Sequence, residues 1–167
     1  MNLLSSTYVF SFFTLLSRVL GYFRDILIAT FLGASLFADA FFVAFRLPNT
    51  FRRLFAEGTF NAAFIPSYVS EKIKNKRQGK KFADEILSIL ILILFFIIFI
   101  VEIFTPYLVF LIAPGFLDDG EKFSLAVEFT RITFPFLLFV SISSFFSGIL
   151  NSNNKFAVAA AAPIILN

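Results

Sequence analysis

The chain has 167 residues, of which 59% are hydrophobic and only 15% charged, against roughly 45–50% and roughly 25% in soluble globular chains. Phe alone accounts for 28 residues. A soluble protein of this length could not bury so much apolar surface, so the composition predicts a membrane protein. The absence of Cys and His excludes disulfides, thiolate metal sites, cysteine nucleophiles and histidine-dependent triads. We therefore expect neither a cofactor nor a metal site.

Apolar stretches of helical length follow one another along the chain. A helix needs roughly 20 mostly apolar residues to cross a bilayer, and the first four stretches reach that length. Within the second, Pro48 predicts a bend or a local unwinding. The sequence therefore predicts an all-α fold, a polytopic transmembrane helix bundle with four complete spans and the start of a fifth. The predicted spans cover about residues 7–34, 36–68, 83–112 and 123–150, followed by an incomplete one at 156–167.

The connections between these stretches differ in charge. The connection 113–122 contains one cation, Lys122, whereas the connection 71–81 contains six. Cytoplasmic loops of membrane proteins carry an excess of Lys and Arg, so we expect 71–81 and the N-terminus in the cytoplasm and 113–122 outside. No aromatic residues interleave with the six cations, which argues against a nucleic-acid site. These cations are Lys72, Lys74, Lys76, Arg77, Lys80 and Lys81.

Charged residues interrupt the first two stretches at positions expected within the bilayer. An Arg or Asp at the centre of a transmembrane helix costs roughly 2.5–3.5 kcal/mol, so such residues normally face a bundle interior or a water-filled cavity. At about 100° per residue, the charges give each of the two helices a polar side. They are five arginines and three acids: Arg18, Arg24, Arg46, Arg52, Arg53, Asp25, Asp39 and Glu57.

These charges allow two interpretations. One is internal salt bridging along a helix face, for example between Asp39 and Arg46 or between Arg53 and Glu57. The other is a hydrated, cationic cavity. Five arginines against three acids leave two arginines unmatched, which favours the cavity. Guanidinium groups bind phosphate through paired hydrogen bonds, so a phosphate-bearing anion is the expected ligand.

The charged stretches also carry a family resemblance. The segments SRVLGYFRDILIATFLGA (17–34) and ADAFFVAFRLPNTFRRLFAEGTFNAAFIP (38–66), together with residues 131–167, closely resemble the MurJ/MviN lipid II flippases. These flippases belong to the multidrug/oligosaccharidyl-lipid/polysaccharide exporter superfamily. The resemblance implies a fourteen-span transporter, of which this chain would be the N-terminal lobe without the C-terminal lobe.

The resemblance also implies a function and roles for individual residues. The family moves lipid II, the undecaprenyl-diphosphate-linked peptidoglycan precursor, across the bacterial cytoplasmic membrane for cell wall synthesis. Its cavity arginines fall on Arg18, Arg24 and Arg52. Other family positions associated with the cavity or its gates fall on Asn49, Asp25, Asp39 and Glu57.

Helix geometry adds two further candidates to this set. Ser17 shares a side of the first helix with Arg24, and we expect it among the substrate-binding residues. Arg53 shares a stripe with Asp39 and Glu57, and we expect it among the ion-pairing and gating residues. The expected partners are lipid II and membrane lipids, with no nucleic acid.

Three alternatives have to be distinguished from a lipid II flippase. A sibling of the superfamily would export another lipid-linked oligosaccharide or a drug, but siblings lack the LPN…RRLFAEG run present here. A polyprenyl-phosphate membrane enzyme would need a catalytic constellation, and the sequence contains no convincing nucleophile. A structural membrane protein would leave the arginines within the bilayer unexplained. We therefore expect a transporter and not an enzyme.

Overall fold

The computed structural model describes residues 3–55, 59–153, 155 and 157–159, and these residues form helices and turns without any strand. The prediction of an all-α fold is confirmed for this part of the chain. A short 3₁₀ helix, Pro114–Asp118, precedes the fifth α-helix. Within the described ranges, the α-helices with defined bounds are, in chain order, α1 (Leu3–Leu32), α2 (Leu36–Phe55), α3 (Thr59–Lys74), α4 (Lys76–Ile112), α5 (Gly120–Thr133) and α6 (Phe136–Ser152).

Local sequence signals determine several helix ends. After α1, Gly33 adopts φ +56°, a left-handed conformation that glycine enters without steric cost, and its N–H donates to the carbonyl of Ala29 at 3.0 Å. At the starts of α4 and α5, the side chains of Asn75 and Asp119 accept hydrogen bonds from backbone N–H groups of the first turn, at 2.9 and 3.1 Å. These caps satisfy donors that have no partner within the helix.

Helices α2 to α6 form the bundle. Helix α2 packs along α5, α3 packs along α4, and α6 contacts α2, α3 and α4. Ala40 of α2 and Ala126 of α5 are completely buried with Val109 of α4, so short side chains let these three helices approach closely. Helix α1 makes only sparse contacts with the other described helices.

Aromatic side chains dominate the core where α3, α4 and α6 meet. The rings of Phe64 and Phe145 lie 4.7 Å apart between centroids, and Phe82 stacks on Phe64 at 6.2 Å. Leu94 and Leu137 complete this core and are completely buried. Ring pairs at these distances add to the stabilisation that the core gains from burying apolar surface.

The outer surface is apolar, as expected for contact with lipid. On α4, Phe95, Phe96 and Phe99 are all exposed. Two segments of the described chain are long and apolar enough to cross a bilayer: Lys76–Ile112 and Gly120–Ser152. The second comprises α5, α6 and the intervening turn. Four complete spans and a fourteen-span architecture stay predictions.

The helix boundaries differ in detail from the predicted spans. The stretch predicted at 36–68 comprises α2 and most of α3, and residues 56–58 lie outside the described part. The stretch predicted at 123–150 comprises most of α5 and α6. They separate at Phe134, where Pro135 has no N–H to bond the carbonyl four residues earlier. Phe134 and Pro135 keep near-helical backbone angles, so the two helices continue one another.

Two further sequence expectations need correction. The basic connection at 71–81 is not a loop, because α3 continues to Lys74 and α4 begins at Lys76. Helix α2 continues through Pro48, so the local unwinding that was one of the two predicted outcomes is wrong, whereas the bend stays a prediction. Pro48 is fully buried. A single proline removes one N–H donor, and the other hydrogen bonds of the helix keep the turn closed.

The sharp corner between α3 and α4 depends on Gly79. A Cβ atom at Gly79 would lie 2.7 Å from Cα of Lys72. We therefore expect Gly79→Ala to lower the free energy of unfolding by about 1–2 kcal/mol, although Ala is the better helix former. Thermal unfolding in detergent would measure the change. Gly115→Ala is the matched control, since its Cβ would meet nothing within 4 Å. Equal stability of the two variants would contradict this role of Gly79.

Candidate functional site

Arg24 lies at a pocket between α1 and the bundle. The pocket has a volume of about 300 Å³. The guanidinium of Arg24 contacts Asp25 on the next residue, with Nη2–Oδ1 at 2.8 Å and Nε–Oδ1 at 3.0 Å. The Arg24 side chain is 41% exposed, so a ligand can reach it. The pocket is lined by Arg24, Asp25 and Ile28 of α1, by Phe41, Phe42 and Phe45 of α2, and by Phe136 of α6.

The aromatic wall of this pocket is ordered by ring contacts within and between helices. Phe41 stacks on Phe45 at 5.7 Å, and Phe45 lies 6.5 Å from Phe136. An ion pair therefore faces an apolar, aromatic surface. An anionic group would have to displace the Asp25 carboxylate from this guanidinium, while the rings would contact an apolar segment attached to it.

Arg52 is oriented by a neighbour on its own helix. Its Nε donates to Oδ1 of Asn49 at 3.0 Å, a contact between residues three positions apart on α2. Both side chains are partly buried. Because Asn49 fixes one edge of the guanidinium, the side chain has a defined direction near the end of α2.

Ser17 and Arg18 occupy different environments on α1. Ser17 is buried, whereas Arg18 is exposed. Among the described residues, none lies within ion-pairing distance of Arg18. Arg53 of α2 is also exposed, and its predicted partner Glu57 lies outside the described part of the chain.

Asp39 forms an ion pair between two helices. Its Oδ2 lies 2.7 Å from Nζ of Lys122 on α5, and the same Nζ lies 5.1 Å from the ring centroid of Phe116. The predicted alternative, a pair of Asp39 with Arg46, does not form. The two residues are seven positions apart, which separates them by about 10.5 Å along the helix.

The predicted residues thus fall into local groups. Arg24 contacts Asp25, Arg52 contacts Asn49, and Asp39 contacts a residue that the sequence analysis did not select. No group of three metal-ligating side chains occurs among the described residues. The groups provide guanidinium donors beside apolar surface, an arrangement suited to binding an anion rather than to acid–base catalysis.

Sequence reasoning missed Lys122 and the aromatic wall. The sequence offered one signal for Lys122, because it is the single cation of the 113–122 connection. Nothing local connects it to Asp39, which lies 83 positions away. For the wall, Phe is so frequent that no individual ring stands out.

Comparisons with known proteins agree with one another. The family model described as "Lipid II flippase MurJ" matches residues 28–167. A "Probable lipid II flippase MurJ" of Buchnera aphidicola is 45% identical over 168 aligned residues, which cover 100% of this chain and 33% of that protein. One of Rhizobium tropici is 46% identical, covering 92% of this chain and 29% of the relative. The "Lipid II flippase MurJ" of Burkholderia cenocepacia is 42% identical, and the alignment covers 100% of this chain and 33% of that protein. The chain therefore spans about a third of the length of these curated relatives.

Proposed function

The chain belongs to the lipid II flippase MurJ family, and from this membership we propose that it serves to move lipid II across the bacterial cytoplasmic membrane for peptidoglycan synthesis. One observation carries the proposal: the similarity to a flippase extends over the whole chain at 45% identity. The two long apolar segments support a place in the membrane. In this proposal the protein is a transporter and not an enzyme.

We propose that Arg18, Arg24 and Arg52 together bind the diphosphate of the lipid carrier. Guanidinium groups present paired N–H donors that match phosphate oxygens. Two local features support this role: the accessible Arg24 beside an aromatic pocket, and the hydrogen bond from Arg52 to Asn49. Asn49 orients Arg52 in this scheme.

Ser17, next to Arg18 on α1, completes the proposed binding residues. Its side chain is buried, so it acts from the bundle side of α1.

Acidic residues supply the release step of this proposal. A cationic patch that binds a diphosphate must also release it. A carboxylate that pairs with an arginine of the patch in one state of the transporter competes with the diphosphate and lowers its affinity in that state. Asp25, Asp39, Glu57 and Arg53 are the proposed exchanging residues. The pairs of Asp25 with Arg24 and of Asp39 with Lys122 are two such contacts that rocking of two lobes would rearrange.

The proposed topology places the N-terminus and the α3–α4 corner in the cytoplasm, within a fourteen-span protein. Single cysteines at Asn75 and Asp119 test it, since residues 1–167 contain no cysteine and any cysteine elsewhere in the protein is first replaced by Ser. In intact cells, a membrane-impermeant thiol reagent should label the cysteine at 119 and spare the one at 75. Labelling at 75 without labelling at 119 would reverse the orientation.

A transport assay tests the function itself. The protein, expressed at its full natural length, is reconstituted into liposomes that contain lipid II. An impermeant reagent specific for the lipid II headgroup then measures access from outside over time. We expect the protein to expose the lipid II of the inner leaflet, and protein-free liposomes to leave it protected.

The same liposomes separate the alternatives. Transport of another undecaprenyl-diphosphate-linked oligosaccharide, with lipid II left behind, would favour a sibling exporter. Chemical conversion of the lipid, detected by mass spectrometry, would favour a polyprenyl-phosphate enzyme. Either result would overturn the proposal.

A further inference from the structure

A second cavity, distant in sequence from the arginines of α1 and α2, lies where the ends of α3, α4 and α6 meet. Its volume is about 590 Å³. Four lysines line it. Among the lining residues that the structure describes, Asp84 is the one with an acidic side chain. The lysines are Lys72 of α3, Lys76 and Lys80 of α4, and Lys155, which follows α6.

Contacts within the cavity hold Lys72 in place. Its Nζ donates to Oδ1 of Asn153 at the end of α6 and lies 6.0 Å from the ring centroid of Tyr68. Gly79 allows the backbone of α3 at Lys72 to lie against α4. The cavity therefore has a fixed cationic side chain at its wall, and it draws on three separate helices.

The cations at this corner divide into two sets. Lys76 and Lys80 are four residues apart and share the face of α4 that lines the cavity. Arg77 and Lys81 belong to the same two turns but lie outside the cavity lining, and Lys81 pairs with Glu85 at 3.6 Å. With four lysines and the carboxylate of Asp84, the described lining residues carry a net charge of 4 − 1 = +3.

The depth of the cavity matches that of lipid headgroups. Helix α4 has 37 residues and is about 55 Å long, whereas the hydrocarbon core of a bilayer is about 30 Å thick. The charged first turns of α4 precede the uncharged run 86–101, so they emerge from the hydrocarbon at the membrane surface. Ala83, Ile149 and Leu150 give the cavity an apolar wall on the bundle side.

We propose that this cavity binds the headgroup of an anionic membrane phospholipid. The lysines contact the phosphodiester, and the apolar wall takes the glycerol and the first acyl carbons. Basic pockets between transmembrane helices are known to suit anionic headgroups. The shared chemistry, a phosphate group, also fits a soluble phosphate ion, but the apolar wall and the depth favour the lipid. This cavity shares no described lining residue with the pocket at Arg24, and the proposal does not depend on the proposed transport function.

The test compares two double variants of the full-length protein with equal charge. Lys76→Gln/Lys80→Gln removes two cavity lysines, and Arg77→Gln/Lys81→Gln removes two cations from the same turns outside the cavity. All four side chains are exposed, so neither variant should disturb folding. Binding of phosphatidylglycerol is measured by titration in detergent with native mass spectrometry, with phosphatidylcholine as the uncharged reference.

We expect the cavity variant to lose about ten-fold in phosphatidylglycerol affinity and the control variant to keep the wild-type value within about two-fold. Phosphatidylcholine should bind weakly to all three proteins. Equal losses in both variants, or no loss in either, would overturn the proposal. Inorganic phosphate that competes with phosphatidylglycerol at equal concentration would overturn the lipid as the ligand. Size-exclusion profiles of the variants verify that each remains folded.

Discussion

Replacing Arg18, Arg24 and Arg52 together with Ala should abolish the growth of cells that depend on this protein for lipid II transport. The three guanidiniums are proposed to donate the hydrogen bonds that bind the diphosphate. The Ala side chains that replace them have no donors. The amount of protein in the membrane should stay near the wild-type level, because Arg18 is exposed and Arg24 and Arg52 are only partly buried. Complementation of a strain depleted of its own flippase, with membrane abundance measured alongside, gives the result.

Two further sets of variants separate charge from geometry. Arg→Lys at each of these positions keeps the charge and loses the paired donors, so we expect transport to fall about ten-fold or more. Arg46→Ala is the control from the same helix as Arg52, and it should leave transport within about two-fold of wild type at equal protein level. Normal growth with Ala at positions 18, 24 and 52 would refute the proposed role.

The second large effect concerns the aromatic core. Phe145 is 1% exposed and contacts the rings of Phe60 and Phe64 at 6.2 and 4.7 Å. Phe145→Ala would leave a cavity where α3 and α6 meet. We expect a loss of about 3–5 kcal/mol in the free energy of unfolding, measured by denaturation in mixed detergent micelles.

Phe139 on the same helix provides a matched control. It is 68% exposed on the surface of α6, and its replacement by Ala removes the same atoms from an exposed position. We expect a loss below about 1 kcal/mol, because lipid fills the vacated volume. Equal effects of the two substitutions would show that the Phe145 cluster does not organise the bundle.

The sequence predicted well those features that depend on neighbours along the chain. Helical structure follows from apolar runs of sufficient length. The first span was predicted to end near residue 34, and α1 ends at Leu32, just before Gly33. The family was also predicted, from the LPN…RRLFAEG run, and the comparisons confirm it.

Contacts between helices were less predictable. Helical periodicity tells which side of a helix is polar, but it does not tell which neighbour meets that side. Asp39 pairs with Lys122, and Lys72 binds Asn153, across 83 and 81 positions. Both pairs depend on which helices pack against each other, and local sequence patterns do not show this. The same reason explains why the corner at Asn75 was predicted as a loop.

In the candidate site, too, the local features were predictable and the contacts between helices were not. The sequence identified its charged residues because charges within apolar stretches are conspicuous. It gave no indication that Phe41, Phe45 and Phe136 face Arg24, since each is one Phe among 28. The combination of cation and aromatic wall exists only after α1, α2 and α6 come together.

The sparse attachment of α1 has a thermodynamic consequence for any ligand of the arginines. Arg24 belongs to this loosely attached helix, whereas Arg52 belongs to α2, which packs firmly along α5. A ligand that contacts both arginines ties α1 to the bundle, so part of the favourable contact energy is offset by the motional freedom that α1 loses. The intrinsic strength of the arginine contacts therefore exceeds the affinity measured for the whole ligand, and amide hydrogens of α1 should gain more protection on binding than those of α2.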